Sequence, residues 1–453
     1  MPASLIHEFE ELSLGDSRVD ERARRLLDAL AAAPDAPLAE ACGSPAATKA
    51  AHRFFENPKV THEGLIEPHA FRTAERCEGN PVVLAPQDVT SLDFTGREMA
   101  GLGHLERKHM RGVLVNTGLF VLPNGELLGI GYQEVWAREL ETVGIAAQRA
   151  KRALEAKESS RWPRAEQHMA ELLAGSCRLV VIADREGDIF EWLARPKPAG
   201  VERLVRARHN RVVVGQGKLL SEVAHQLPEV AEMDVDVRRA DERPGRTAHL
   251  VVRAGPVQLA RPKQLGKGAP AECWCVVAEE PAAPGDAKPI FWVLLLSWAV
   301  NSPEEAVQAV RWYALRWLVE RFHYTLKSGC KVEALQPAST DRLYREVGMR
   351  SVVAAMVLRL TLAARTRPDA PCDILLDEME WKALYCRAHE TMTPPPIPPS
   401  LREAVRMIAK LAGFPGWKSA GDPGVKLIWQ GLRRLSETVA MYRIAVNSGF
   451  GPA

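Results

Sequence analysis

The chain has 453 residues, 46% of them hydrophobic and 26% charged, with a formal net charge of +2. That length permits two or three domains and a sizeable core, and the balance excludes a disordered tail. A charge so near neutral also excludes a global positive field, so a polyanionic partner must be held by local basic patches. The eight cysteines, at positions 42, 77, 177, 273, 275, 330, 372 and 386, form no C-x-x-C pair and no zinc-type spacing, and read as reduced thiols. The first sixteen residues lack an apolar core, and the longest uncharged apolar run, Ile290 to Val300, is too short to cross a bilayer. A cytosolic chain with no membrane partner is expected.

Residues up to about 70 read as helices. One runs from Asp20 to Leu30, and Ser44-Pro45 opens another that Asn57-Pro58 ends. Their Arg18, Arg22, Arg24, Arg25, Lys49 and Arg53 suit a small DNA-binding module. An alternating α/β pattern follows. Pro81 to Ala85 is a short buried strand ending at Gln87-Asp88-Val89-Thr90, and Gly112 to Leu122 with Glu126 to Trp136 form a hairpin about Pro123-Asn124-Gly125. A charged helix fills roughly 146–174. Arg178 to Ala183 is a second buried strand, broken at Asp184-Arg185-Glu186-Gly187-Asp188.

From about 199 to 300 the texture turns to strands, at Glu202 to Val214, Glu232 to Arg239, Ala248 to Leu259, Glu272 to Ala278 and Ile290 to Ser297. Ser302-Pro303-Glu304-Glu305 then opens a helix, with Ser302 as cap and Glu305 closing a capping box, that runs to Gly329. On one continuous helix Tyr313, Arg316, Glu320 and Lys327 fall within about 60° of one another, and Leu315, Val319, Phe322 and Leu326 lie opposite. A core helix spans about Asp341 to Thr366. The stiff linker Thr393 to Pro399 leads to two C-terminal helices, the last with Ile428, Leu432, Leu435 and Val439 on one side.

In open α/β sheets ligands gather at the carboxyl ends of strands, where Asp88 and Asp184 are expected. Two such aspartates facing Glu320 would repel one another unless cations neutralise them, and hard oxygen donors suit Mg²⁺ or Mn²⁺. Two ions held by Asp88, Asp184 and Glu320 would serve phosphoryl transfer on nucleic acid. Arg316 and Lys327 would hold phosphates beside them, with Tyr313 donating a hydrogen bond.

The spacing Tyr313-x2-Arg316-x3-Glu320-x6-Lys327 resembles the Y-R-E-K signature of bacterial cut-and-paste DDE transposases of the Tn5 type, in the insertion-sequence-four family. Arg316-Trp317, Phe322-His323 and Lys327-Ser328-Gly329 also resemble that pattern, and Asp184-Arg-Glu-Gly-Asp188-Ile resembles the surroundings of its second aspartate. Asp88-Val-Thr90 takes the place of the first, with Gln87 where relatives often carry Glu. Leu14 to Arg18 and His52 to Pro58 are similar to the family's DNA-end-binding domain. Leu411 to Phe414 and Trp429-x-Gly431-Leu432 are similar to its dimerisation region.

The resemblance implies an α/β fold with an RNase-H-like mixed-sheet catalytic core. A β-rich insertion (about 199–300) interrupts that core (71–368). An N-terminal helical DNA-binding domain (1–70) and a C-terminal helical dimerisation domain (369–453) flank it. It further implies two Mg²⁺ or Mn²⁺ ions per site on Asp88, Asp184 and Glu320, a synaptic homodimer, and double-stranded DNA partners in the form of terminal inverted repeats and a target. The implied setting is the bacterial cytoplasm, on nucleoid DNA. Trp292, 21 residues before Tyr313, stands where relatives stack a flipped base. Arg206, Arg208 and Arg211 match positions that touch end DNA, and in a strand Arg206 and Arg208 would point the same way. The implied chemistry is nicking, hairpin formation and opening, and strand transfer. A metal-dependent nuclease without strand transfer, and a non-catalytic DNA-binding regulator, are the alternatives.

Overall fold

The computed structural model of the chain describes residues 7–107, 109–138, 158–237, 245–285, 288–417 and 421–448. The part of the expected 146–174 helix before Glu158 lies outside them, and within them the chain is helical over Arg161–Leu173. The chain groups into two compact units, each discontinuous. One comprises Met1–Cys77, Val89–Glu141 and Glu320–Ala453, and the other Glu78–Asp88 and Thr142–Val319.

The first unit begins with helices α1 (Ser17–Ala32), α2 (Leu38–Cys42), α3 (Pro45–Glu56) and α4 (His62–Glu75). Their starts follow capping chemistry: Asp16, Ser44 and Thr61 accept from the N–H of Arg18, Ala47 and Gly64. The hairpin strands β3 (Arg111–Val121) and β4 (Leu127–Trp136) form as expected, with Gly125 taking the left-handed backbone their turn requires. Nearly all of β3 is buried, so it is a central strand with apolar residues on both faces. Helix α10 (Thr340–Thr366) is long and apolar enough to cross a membrane, yet 94% of its most apolar stretch is buried in the fold. It is the core helix that the spacing of Val352, Met356, Leu360 and Ala363 predicts.

Helices α11 (Glu378–His389), α12 (Leu401–Leu411) and α13 (Val425–Asn447) complete this unit, with Ile428, Leu432, Leu435 and Val439 buried. Gly431 lets α13 approach α12 closely: a Cβ there would lie 2.1 Å from the Ile408 carbonyl oxygen. Gly329 does the same for the Trp429 ring, 2.8 Å from where its Cβ would be.

The second unit is built on a large mixed sheet. The first half of β1 (Val82–Asp93) pairs in parallel with β5 (Arg178–Ala183), and β5 with β6 (Val201–Arg206). Antiparallel β10 (Phe291–Leu296), β9 (Ala271–Glu279), β8 (Arg246–Leu259) and β7 (Glu229–Val237) follow in that order. All five strands expected between 199 and 300 are present. They extend the sheet that carries the aspartates, because β10 pairs directly with β6.

Three local expectations change. β1 does not end at Gln87; beyond Asp88 it continues to Asp93, in the first unit, where it lies beside β3 and the Phe94 N–H meets the Arg111 carbonyl. β6 stops at Arg206 instead of reaching Val214: the Ala207 N–H still meets the Val293 carbonyl, but those of Arg208 and His209 turn to a side chain described below. The helix opened by Ser302 is also not continuous. Ser302 accepts from the Glu305 N–H, but Glu305 returns to the Asn301 N–H, not to Ser302.

That helix, α8 (Pro303–Ala314), gives way at Leu315 and Arg316 to a tighter turn before α9 (Trp317–Tyr324), with the Leu315, Arg316, Leu318 and Val319 N–H groups bonding three residues back. A three-residue period shifts the phase of everything beyond it. Tyr313, in the helix before that turn, is buried, 4% exposed, and Leu315 is only half-buried, while Val319, Phe322 and Leu326 beyond it are buried. Lys327 follows α9 in a π-helical turn, Thr325–Gly329.

Candidate active site

The parallel register of β1 and β5 ends at Gln87 beside Ala183. Asp88 continues β1 and Asp184 is the first residue past β5, so both lie just beyond the end of this parallel pairing. Gln87, just before Asp88 on the strand, is fully buried. Asp184 is half-buried and caps a short 3₁₀ turn, accepting from the Glu186 N–H at 2.7 Å. This uses one oxygen.

Asp88 Oδ2 lies 3.6 Å from Arg316 Nη1, and each of these side chains is 18% exposed. The Leu315–Arg316 turn thus delivers Arg316 to Asp88. Tyr313 packs edge-on against Trp292, ring centroids 5.0 Å apart. Burial raises the Tyr313 phenol above its ordinary range, Arg316 and a hydrogen-bonded Arg206 oppose the rise, and Asp184 adds to it. Arg206, at the end of β6, also donates to the Phe291 carbonyl at 3.2 Å. Six expected residues of the second unit, Asp88, Asp184, Arg206, Trp292, Tyr313 and Arg316, are thereby brought together. The expectation that Tyr313 stands on an open polar face is corrected: its hydroxyl works from within the wall.

The remaining expected residues are placed differently. Glu320, exposed, is the first residue of the other unit, four positions beyond Arg316 along α9. Among the described residues no group of three or more His, Cys, Asp or Glu side chains is set to hold a metal ion. Lys327 Nζ lies 3.6 Å from Glu333 Oε1, and the same oxygen accepts from the Asp93 N–H at 2.9 Å. Arg208 is exposed but lies past the end of β6, so the shared strand direction expected for Arg206 and Arg208 does not hold.

Arg211 is not presented to solvent: its side chain is 8% exposed and is ion-paired with the fully buried Asp188. Sequence reasoning quoted Asp188 within its motif and gave it no role. The motif shows that an aspartate recurs four residues on, and nothing in it tells which of the two is buried.

Residues 2–60 match the family described as transposase DNA-binding, and residues 352–449 match the Transposase Tn5 dimerisation domain. The chain belongs with the Tn5-type transposases. In this transposase the first match covers α1 to α3, where Ser44, Thr48, Lys49, His52 and Arg53 border a cleft of about 780 Å³. The second runs from within α10 through α13. The constellation around Asp88 and Asp184 lies in the stretch between the two matches. Among solved structures, the transposase is similar to the cryo-EM structure of the piggyBac transposase synaptic complex with hairpin DNA (SNHP). The identity is 10% and the TM-score 0.32, covering 85% of this chain and 61% of that one. The chain spans about three fifths of the length of that neighbour, and so low a TM-score adds nothing to the fold described above.

Proposed function

We propose that this transposase cuts DNA at the ends of its element and joins the freed 3′ ends to a target, with Asp88, Asp184 and Glu320 as its carboxylates. What supports this reading is that two half-buried aspartates follow the end of one parallel strand pair, with the Arg316 guanidinium near Asp88 and the Tyr313 phenol within electrostatic reach of Asp184. Neighbouring carboxylates repel, and a divalent cation between them removes the repulsion. The donors fit Mg²⁺ or Mn²⁺, because they are hard oxygens and Asp184 keeps one oxygen beyond the one that caps Glu186. When bound, two such ions would activate the attacking oxygen and stabilise the leaving one.

The chain's own residues do the rest. Arg316 neutralises Asp88 before DNA arrives and then turns to a phosphate oxygen. Tyr313, held by Trp292 and Arg206, donates a hydrogen bond at a fixed point of the wall, and the half-buried Trp292 offers a ring on which a base displaced from the duplex stacks. In nicking, a water oxygen bonds to phosphorus, the bond from phosphorus to the 3′ oxygen breaks, and that oxygen takes up the proton. The freed 3′-hydroxyl then attacks a phosphorus of the opposite strand, expelling the 3′ oxygen of the flanking DNA and closing a hairpin. Water attacks the hairpin phosphorus and releases the 3′-hydroxyl, and that hydroxyl attacks a target phosphorus, expelling a target 3′ oxygen that takes up the proton. Two copies of the chain, joined through the C-terminal helices, would hold the two ends.

The test is incubation with the terminal inverted repeats and Mg²⁺. Asp88→Ala, Asp184→Ala and Glu320→Ala are each expected to lower cleavage on the order of 10³-fold, with end binding in a gel-shift assay retained. Parental cleavage by any of the three overturns the assignment of that residue.

A further inference from the structure

Asp188 closes the turn that Asp184 begins, and its carboxylate is fully buried. It accepts from the backbone N–H of Arg208 at 2.7 Å and of His209 at 2.8 Å, and from Arg211 Nη1. Arg211 Nη2 donates to the Asp188 backbone carbonyl at 3.0 Å. These bonds take up the N–H groups that follow Ala207. They staple the turn after Asp184 to the arm that leaves β6, with Arg206 at its root and the exposed Arg208 beyond. The turn itself is seated tightly: a Cβ on Gly187 would lie 2.4 Å from the Ala183 Cβ and 3.2 Å from the Trp192 ring.

Stability alone does not account for this pair. Desolvating both charges of the pair costs about what their attraction returns. Register is what apolar side chains in their place would not supply. Apolar contacts allow small slides, whereas a carboxylate accepting three directed hydrogen bonds fixes both distance and angle.

We propose that Asp188 and Arg211 are positioning residues: their pair holds the Arg208 arm at a set distance from Asp184, so that a DNA phosphate taken by Arg208 brings the bond to be cut to the aspartates. This rests on the function proposed above. The test replaces the pair together, Asp188→Leu with Arg211→Met, and compares it with the parent on an inverted-repeat duplex. The melting temperature is expected to fall, because the Arg208 and His209 N–H groups lose their acceptor whatever the pair's role. Hydroxyl-radical protection of the phosphates bordering the cleavage point is expected to fade, and cleavage of bound ends to fall about tenfold or more.

A merely structural pair would leave the footprint of the folded protein unchanged. A parental footprint overturns the proposal whatever the cleavage rate. Should the double variant not fold, Arg211→Lys, which keeps the charge but reaches only one of the two acceptors, is scored on the same footprint. The footprint needs no cleavage, so a parent that binds ends without cutting them counts against the proposed function and leaves the coupling to be decided.

Discussion

Glu8 of the first unit and the two strand-end aspartates of the second are partnered differently. In the first, Glu8 is fully buried and both its oxygens are engaged, one by His69 Nδ1 and the other by Arg76, while His69 Nε2 meets the Ile130 N–H at 3.0 Å. Arg350, also buried, donates to the carbonyls of Pro34, Ala36 and Cys330 at 2.8, 3.0 and 3.1 Å. In the second unit Asp88 and Asp184 are half-buried, just beyond the end of one parallel pairing, and Asp184 uses one oxygen on a cap. A carboxylate whose accepting capacity is used up holds the fold, whereas Asp184 keeps an oxygen beyond the one on its cap. Asp188 and Asp184 repeat the contrast four residues apart.

The largest effect that would break the contrast is in the first unit. Glu8→Ala leaves His69 and Arg76 facing an emptied site and is expected to lower stability by about 3–5 kcal/mol, read as a lower urea midpoint. Asp184→Ala, by comparison, is expected to leave that midpoint nearly unchanged. The same carboxylate sets an acid dependence. Burial pushes Glu8 up, but His69 and Arg76 beside it outweigh burial and hold it at about 2, below its ordinary 4.5. A depressed carboxylate stabilises fully above its unfolded value and loses that contribution as pH falls through the folded one. About 3 kcal/mol is therefore expected to vanish between pH 4.5 and 2, and equilibrium unfolding of Glu8→Gln is expected to lack this component. Next in size, Tyr313→Phe removes one hydrogen bond beside the aspartates and is expected to slow cleavage about tenfold with end binding intact.

Much of this was legible in the sequence wherever the signal was local. The caps at Ser44 and Ser302, the turn at Pro123-Asn124-Gly125 and the apolar period of α10 each needed only neighbours within one turn or one hairpin. The aspartates were found because they stand where buried strands meet polar residues. What stayed hidden depends on partners far along the chain. β1 passes through Asp88 because β3 is there to lie beside it, and no residue after Asp88 signals the change of neighbour. The break at Leu315–Arg316 carries neither proline nor glycine, so a continuous wheel set the buried Tyr313 on one face with the exposed Glu320. Arg211 looked like one more basic residue of an exposed arm until Asp188, 23 residues earlier, was seen to bind it.

The smallest effect is also the finest test of spare capacity, since it compares two cations. Arg208 is exposed, whereas Lys327 lies 3.6 Å from a carboxylate oxygen of Glu333. A cation that releases a counterion when it meets a phosphate steepens the salt dependence of binding, by about 0.9 in the slope of log K against log salt for each phosphate neutralised. Arg208→Ala is expected to flatten the slope for end binding by about that amount. Lys327→Ala is expected to flatten it less, because its ammonium is already partly neutralised by Glu333 and has less to release. Glu333→Gln withdraws that neutralisation and should steepen the slope. Equal losses for the two cations, with no change in Glu333→Gln, would show that the carboxylate beside Lys327 does not restrain it.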